Sequence, residues 1–260
     1  MISPAPFAAA MLEPRAQPIS QKFHCNNNNE NRQNDRGSAS ILEQVEGHLE
    51  FLAGCALIQL VRPGAPIVFG NFLSSMALRS GSPTFGTPEP AIGSMVAGQL
   101  ARRLNLPLRC SGSFTNSKPP DAQAMTESVM SKLAAIHCGA NFLLHSAGFL
   151  NGLLSMSYEK FMLDADFCGA LHTSIAGVTV DDNPLAVEAF AEVRRGDHFF
   201  GCSHTMANYE TAFWDSALAD NEPFEKWEAA GSHDAACRAN RAWKKKPGRI
   251  PAAADRRWGR

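Results

Sequence analysis

No apolar run in these 260 residues is long enough to cross a bilayer: the longest, Phe51 to Val61, is interrupted by Gly54 and Gln59, and a spanning helix needs about 20 apolar residues. No membrane partner is expected. The first twenty residues also lack a basic stretch ahead of an apolar core, so they do not have the pattern of a secretion signal. Charge of one sign is missing too. The 24 Lys and Arg nearly cancel the 25 Asp and Glu, which leaves no cationic excess to displace counterions from a nucleic acid. The seven cysteines, at 25, 55, 110, 138, 168, 202 and 237, are spread singly, without a disulfide framework, and a reducing cytoplasm is the expected setting. His24 and Cys25 have no second pair at zinc-finger spacing, so no metal site is expected. No G-x-G-x-x-G or G-x-x-x-x-G-K-[ST] motif follows any candidate strand, which counts against a dinucleotide or P-loop site.

What remains is ordinary globular material, 45% hydrophobic and 19% charged. Residues 1–40 are Pro- and Asn-rich and are expected to be disordered or unrelated to the rest, because such a composition buries too little apolar surface to offset its ordering entropy. Residues 41–246 carry the periodic elements, and 247–260 form a basic tail. A helix over Ile41–Val61 precedes a short apolar strand at Pro66–Phe69. Thr87-Pro-Glu has the pattern of a helix start, and Ile92, Val96, Leu100 and Leu104 follow at four-residue spacing. The unit then repeats. Leu106–Cys110 is a predicted strand, and Asp121 caps a helix whose expected apolar face is Met125, Val129, Leu133 and Ile136. A third copy has a strand at Asn141–His145 and a helix from about Ser157 to Ser174. A fourth, less regular, has a helix from Asn183 to Val193, a strand at His198–Cys202 and a helix near Asn208–Leu218; a last helix is expected from Pro223 to Trp243. Strands separated by single helices imply right-handed crossovers and a parallel sheet, with ligands at the carboxyl ends of the strands in doubly wound and barrel folds alike.

Three post-strand loops concentrate polar and aromatic groups: residues 111–123, 145–152 and 201–205. Within and around them, Asn116-Ser-Lys-Pro-Pro-Asp-Ala-Gln-Ala, Ser157-Tyr-Glu-Lys, His198-Phe-Phe-Gly, His204-Thr and Phe224-Glu-Lys-Trp-Glu-Ala-Ala-Gly-Ser occur in order. Together, from about Ala65 to Trp243, they resemble the trimethylamine methyltransferase family, which contains corrinoid-dependent methyltransferases acting on methylated amines. The resemblance implies an α/β fold of the parallel (β/α)8 TIM-barrel type, of which this chain would hold only the later strand-helix units. It also implies a small methylated amine as substrate and a separate corrinoid protein as partner, whose Co(I) accepts the methyl group, with no cofactor bound to this chain directly. The trimethylamine enzymes of the family carry pyrrolysine. Here Ala147-Gly-Phe-Leu-Asn-Gly has only ordinary residues, so the resemblance points to the branch acting on quaternary amines such as glycine betaine.

The substrate-binding candidates are Asp121, Gln123, Glu127, His145, Phe149, Tyr158, Glu159, Phe200 and His204. Each has a simpler alternative. Asp121 is also a helix N-cap, Gln123 a first-turn capping residue, and Glu127 a solvated helix position. His145 and His204 follow strands, where barrel enzymes place functional groups, but a core histidine is the alternative. Phe149 and Phe200 wall a pocket or belong to the core, and Tyr158 and Glu159 contact substrate or form a solvated first turn. No catalytic residue stands out, as expected if the substrate's own positive nitrogen activates the methyl group. A phosphorylated ligand at residues 111–117 and a non-catalytic half barrel that binds a corrinoid protein, a complementary half or its own copy are the competing readings.

Overall fold

The computed structural model describes residues 38–70 and 73–245, with side chains from residue 47 onward. The expected disorder of residues 1–40 and the basic tail 247–260 therefore fall almost wholly outside the described residues.

Helix α1 (Ser38–Val61) ends where Pro63 and Gly64 break it, and Gln59 holds the turn, accepting from Gly64 N–H at 2.8 Å and donating to the Ala65 carbonyl at 2.9 Å. Strand β1 (Phe69–Gly70) runs parallel to β4 (Leu108–Ser111), which in turn pairs in parallel with β5 (Phe142–Leu144), giving the order β1-β4-β5. The expected strand at Pro66–Phe69 is paired only from Phe69, whose N–H donates to the Pro107 carbonyl at 2.8 Å; Pro66 has no donor to give a ladder. The crossovers are α2 (Pro88–Arg103) and α3 (Ala122–His137).

Both crossover helices bury a face next to the expected one. In α2 the buried positions are Gly93, Ala97, Gly98 and Ala101, while Ile92 is 57% exposed. In α3 they are Ala124, Ser128, Lys132, Ala134 and Ala135, while Leu133 is exposed. Small side chains let the helices approach closely: a Cβ on Gly98 would stand 2.4 Å from the Cys138 carbonyl oxygen. The resulting core is Phe69, Ala97, Ala101, Leu108, Cys110, Ala135 and Cys138.

Two antiparallel hairpins were not evident in the sequence. One joins β2 (Ser75–Ala77) to β3 (Ser82–Thr84), and the other joins β6 (Phe149–Leu150) to β7 (Ser155–Met156) in the loop after β5. Helix α4 (Tyr158–Ala176) follows, capped by the Ser157 hydroxyl, which accepts from Lys160 N–H at 3.3 Å, and ended at Gly177, φ 72°.

The fourth expected strand-helix unit is not present. His198–Cys202 is not a strand: Phe199–Gly201 is a 3-10 turn, and Ser203–Asn208 is helix α7. The cause is local. The Glu192 carboxylate accepts from Ser203 N–H through both oxygens at 3.0 Å, placing an anion on the helix N-terminus. The expected helix 183–193 is split into α5 (Asp182–Leu185) and α6 (Val187–Glu192) by Ala186 at φ 48°. No helix spans 208–218. Asn208 ends α7, and the Ser216 hydroxyl accepts from Leu218 and Ala219 N–H while donating to Asp166. The expected helix 223–243 is likewise two, α8 (Phe224–Ala229) and α9 (Ala235–Lys244), because Gly231 (φ 99°) and Ser232 (φ 53°) turn the chain before Asp234 caps α9. The described residues are thus an α/β arrangement with a three-stranded parallel sheet. None of the described helices is long and apolar enough to cross a membrane.

Candidate functional site

The loop leaving β4 dips into the protein instead of standing in solvent. Ser113, Phe114, Thr115 and Ser117 are all at most 3% exposed, so their polar groups require partners. Ser113 donates to the Ser146 carbonyl at 2.7 Å and takes its N–H to the His145 carbonyl at 2.9 Å. The Thr115 and Ser117 carbonyls accept from Gly152 and Asn151 N–H at 2.9 and 2.8 Å. These bonds join the loops after β4 and β5 into one layer at the carboxyl ends of the strands.

Glu127 is the hub of that layer. Its Oε2 accepts from the Thr115 hydroxyl at 2.7 Å and from Asn116 N–H at 2.8 Å, and its Oε1 accepts from the Gln123 amide at 2.9 Å. Asn116 extends the network, accepting from Phe85 N–H at 3.0 Å and donating to the Pro83 carbonyl at 2.7 Å. Asp121 is the N-cap of α3, accepting from Ala124 N–H at 2.9 Å and from the Ser117 hydroxyl at 2.8 Å. Those bonds, the one from Ala124 first, hold its carboxyl below the usual carboxylate range.

On the inner side of the loops four rings stand in a row: Phe85 to Phe114 at 5.6 Å, Phe114 to His145 at 5.6 Å, and His145 to Phe149 at 5.1 Å. Phe85 and Phe114 are buried, and the half-buried His145 and Phe149 bring the row towards solvent. The backbone here is unusual. His145, Asn151 and Leu153 have φ of 57°, 52° and 72°, with Gly148 and Gly152 also positive. Left-handed conformations at non-glycine residues each cost of order 1–3 kcal/mol and persist where surrounding contacts enforce them, most often at functional sites.

The remaining candidates sit elsewhere. Tyr158 and Glu159 dock α9: Glu159 Oε1 accepts from Asn240 Nδ2 at 2.5 Å and Trp243 Nε1 at 2.8 Å, its Oε2 accepts from Ser157 at 2.6 Å, and the Tyr158 and Trp243 rings are 4.7 Å apart. Phe200 is 79% exposed beside His198, and His204 Nε2 lies 2.6 Å from the Asn183 carbonyl oxygen, joining α7 to α5. The structure therefore brings together Asp121, Gln123, Glu127, His145 and Phe149, and places Tyr158, Glu159, Phe200 and His204 in helix-docking segments. Three hydrogen bonds, Ser157's the strongest, lower the Glu159 carboxyl to about 2. Its unfolded value is near 4.3, so it contributes stability above that pH and loses it as the pH falls through about 2. Urea titrations from pH 5 to pH 2 are expected to show about 1–2 kcal/mol of pH-dependent stability, after allowance for solvent screening, that Glu159→Gln lacks.

Lys132, Lys160 and Asp164, all fully buried, were not expected as a cluster. Asp164 accepts from Lys132 Nζ at 3.2 Å, Lys160 Nζ at 2.5 Å and Gly148 N–H at 2.9 Å, so it fixes the loop between His145 and Phe149. The i,i+4 spacing of Lys160 and Asp164 is the one sequence signal for it. Among the described residues no cluster of His, Cys, Asp and Glu could hold a metal ion.

A model of the family described as trimethylamine methyltransferase (MTTB) matches residues 39–248. The chain belongs to the trimethylamine methyltransferase family. Among its curated relatives, a glycine betaine methyltransferase of Desulfitobacterium hafniense strain Y51 is 38% identical over 178 residues, 68% of this chain and 37% of the relative. A trimethylamine methyltransferase of Methanosarcina mazei is 34% identical over 198 residues, 75% of this chain and 39% of that protein. Another, from Desulfitobacterium hafniense strain DCB-2, is 31% identical over 195 residues, covering 75% and 39%. This trimethylamine methyltransferase family member thus matches about two fifths of the length of each of these relatives.

Proposed function

We propose that the chain is a methyltransferase unit that holds a quaternary or tertiary methylated amine, glycine betaine-like, while a separate corrinoid protein supplies the Co(I) that accepts the methyl group. The observation that carries the proposal is the aromatic row ending in His145 and Phe149, set at the strand ends, in a chain 38% identical to a glycine betaine methyltransferase. A quaternary ammonium offers no proton to a base and is recognised by aromatic faces at about 0.5–2 kcal/mol each. In the transfer the Co(I) electron pair forms the bond to carbon, the C–N bond breaks, and its electrons remain on nitrogen. A quaternary nitrogen leaves as a neutral tertiary amine and a tertiary amine reacts as its protonated ammonium, keeping that proton, so the protein's share is alignment and exclusion of water. On this reading the three parallel strands are part of a (β/α)8 barrel, the chain itself binds no cofactor, and a reducing cytoplasm is its setting.

Incubation with a Co(I) corrinoid protein and a panel of methylated amines tests the proposal. Methyl-cobalt absorbance should develop with glycine betaine or a close analogue; its absence with every amine, while a full-length relative succeeds, would refute it. Phe149→Ala should weaken binding of the amine about 2- to 30-fold, the value of one such contact, with Phe149→Trp retaining it; calorimetry reads both.

A second reading has its own observation. Leu49, Leu57 and Leu60 on α1 and Val178, Phe200 and Phe213 further on are each more than half exposed, and β1 and β5 are sheet edges among the described residues. Such surfaces favour a non-catalytic partial barrel that associates with a complementary half, a corrinoid protein or its own copy. Light scattering after size exclusion separates the two: a monomer with a cooperative melt argues against the second.

A further inference from the structure

We propose that Cys110 and Cys138 are a peroxide-responsive dithiol that closes to a disulfide between β4 and the end of α3. The two sulfurs are 3.6 Å apart, in van der Waals contact, and both residues are buried, at 2% and 3% exposure. A disulfide needs about 2.05 Å, so the sulfurs must approach by roughly 1.5 Å. The place that can yield is the helix end. Cys138 is the C-cap of α3, outside its last regular turn, and Gly139 follows at φ 80°. Helix ends fray, whereas Cys110 lies within β4, paired with Leu143 of β5.

The chemistry of the pair is asymmetric in the way the reaction requires. The hydrogen bond from Cys110 draws the Cys138 thiol below the ordinary cysteine range and pushes Cys110 above it, and the Arg102 guanidinium, which donates to the Cys138 carbonyl at 2.6 Å, adds positive charge beside Cys138. Cys138, at the helix end that can open and beside Arg102, is the attacking thiolate, and Cys110, inside the sheet, the resolving thiol. The oxidant is hydrogen peroxide, small enough to reach a buried pair during local opening. The Cys138 thiolate attacks one peroxide oxygen, the O–O bond breaks, and the departing hydroxide takes a proton to leave as water. The Cys138 sulfenic acid then reacts with Cys110: the S–S bond forms, the S–O bond breaks, and the Cys110 proton leaves with the hydroxyl as a second water. Two thiols are oxidised by two electrons, and one peroxide is reduced to two waters. Disulfides in reducing compartments are usually transient and redox-sensing, and Cys110 directly precedes the buried loop 111–117.

The test treats the intact chain with hydrogen peroxide, alkylates the remaining thiols after denaturation, and maps the peptides. The expected result is one cross-linked pair, Cys110 with Cys138, two hydrogens lighter. It should be accompanied by a rise in Tm of about 5 °C or more from closing a loop of this length, reversed by dithiothreitol. Cys138→Ser should abolish both changes, and Cys110→Ser should leave Cys138 to over-oxidise; the mapping of the unmutated chain needs neither variant to fold. The proposal is overturned if exposed Cys237 is oxidised while Cys110 and Cys138 both remain alkylatable, or if Cys138 is recovered as sulfinic acid without the cross-link.

Discussion

Asp164→Ala is expected to cost about 3–5 kcal/mol of folding stability, the loss typical of removing one partner from a buried ion pair. Two ammonium groups, Lys132 and Lys160, reach this one carboxylate with no solvent exposure. Without it both charges stay in the interior, where Ser128, accepting from Lys160 at 2.8 Å, and the Phe167 ring, 5.2 Å from Lys132 Nζ, are neutral. Burial already pulls the Lys160 ammonium below the ordinary lysine range, with Asp164 opposing the shift. The corresponding lysine substitution should behave differently. Lys160→Met leaves a one-to-one pair of Lys132 and Asp164 and fills much of the same volume, so its cost is expected to be below about 1.5 kcal/mol. Urea unfolding of the two variants measures the contrast; equal losses would mean that the cluster does not carry a net buried charge. Hydrogen exchange at the Gly148 amide, which donates to Asp164 at 2.9 Å, should accelerate in Asp164→Ala and reports on the loop bearing His145 and Phe149.

The first three strand-helix units are legible in the sequence because each helix announces its own start: Thr87-Pro88, Asp121 and Ser157 stand where the caps are found. Their buried faces are less legible. Periodicity picks out the large apolar side chains, such as Ile92 and Leu133, whereas close packing on a sheet selects the small ones beside them, such as Ala97 and Ala135. The fourth unit fails for a reason that no local pattern holds: His198–Cys202 has strand composition, but the carboxylate of Glu192, eleven residues before Ser203, stabilises a helix start instead. The family is legible from ordered motifs; of the nine candidate residues, five lie in one layer of loops, Asp121, Gln123 and Glu127 after β4 and His145 and Phe149 after β5. Tyr158 and Glu159 were not separable from them, because a first-turn acid reads the same whether it faces a ligand or, as here, Asn240 and Trp243 of a helix some eighty residues later. The cluster around Asp164 was hidden because a buried lysine and an exposed one are identical in composition.

Glu127 and Gly86 give the second large expected effect. Glu127→Ala removes the acceptor of the Thr115 hydroxyl and the Asn116 N–H and releases the Gln123 amide. Leaving such donors in a buried loop costs about 1–3 kcal/mol each, so a loss of about 2–4 kcal/mol is expected, with Glu127→Gln retaining part of it. Gly86→Ala attacks the same clamp from the opposite side. A Cβ there would lie 2.2 Å from Glu127 Cβ and 2.4 Å from its Cγ, so Glu127 must be displaced, at about 1–3 kcal/mol. Because both substitutions break one set of bonds, the double variant should cost clearly less than the sum, with a coupling of about 1 kcal/mol or more in a denaturant-based cycle. A strictly additive result would show that Gly86 serves only its own turn. The consequence for binding follows from the same geometry: Asn116 bonds to Phe85 N–H, and Phe85 and Phe114 back the ring of His145. Loosening Glu127 thus unseats the aromatic row without touching the two rings nearest solvent. On the proposed reading, and under conditions where the variant remains folded, its affinity for a quaternary amine should fall with no change in which amines are preferred.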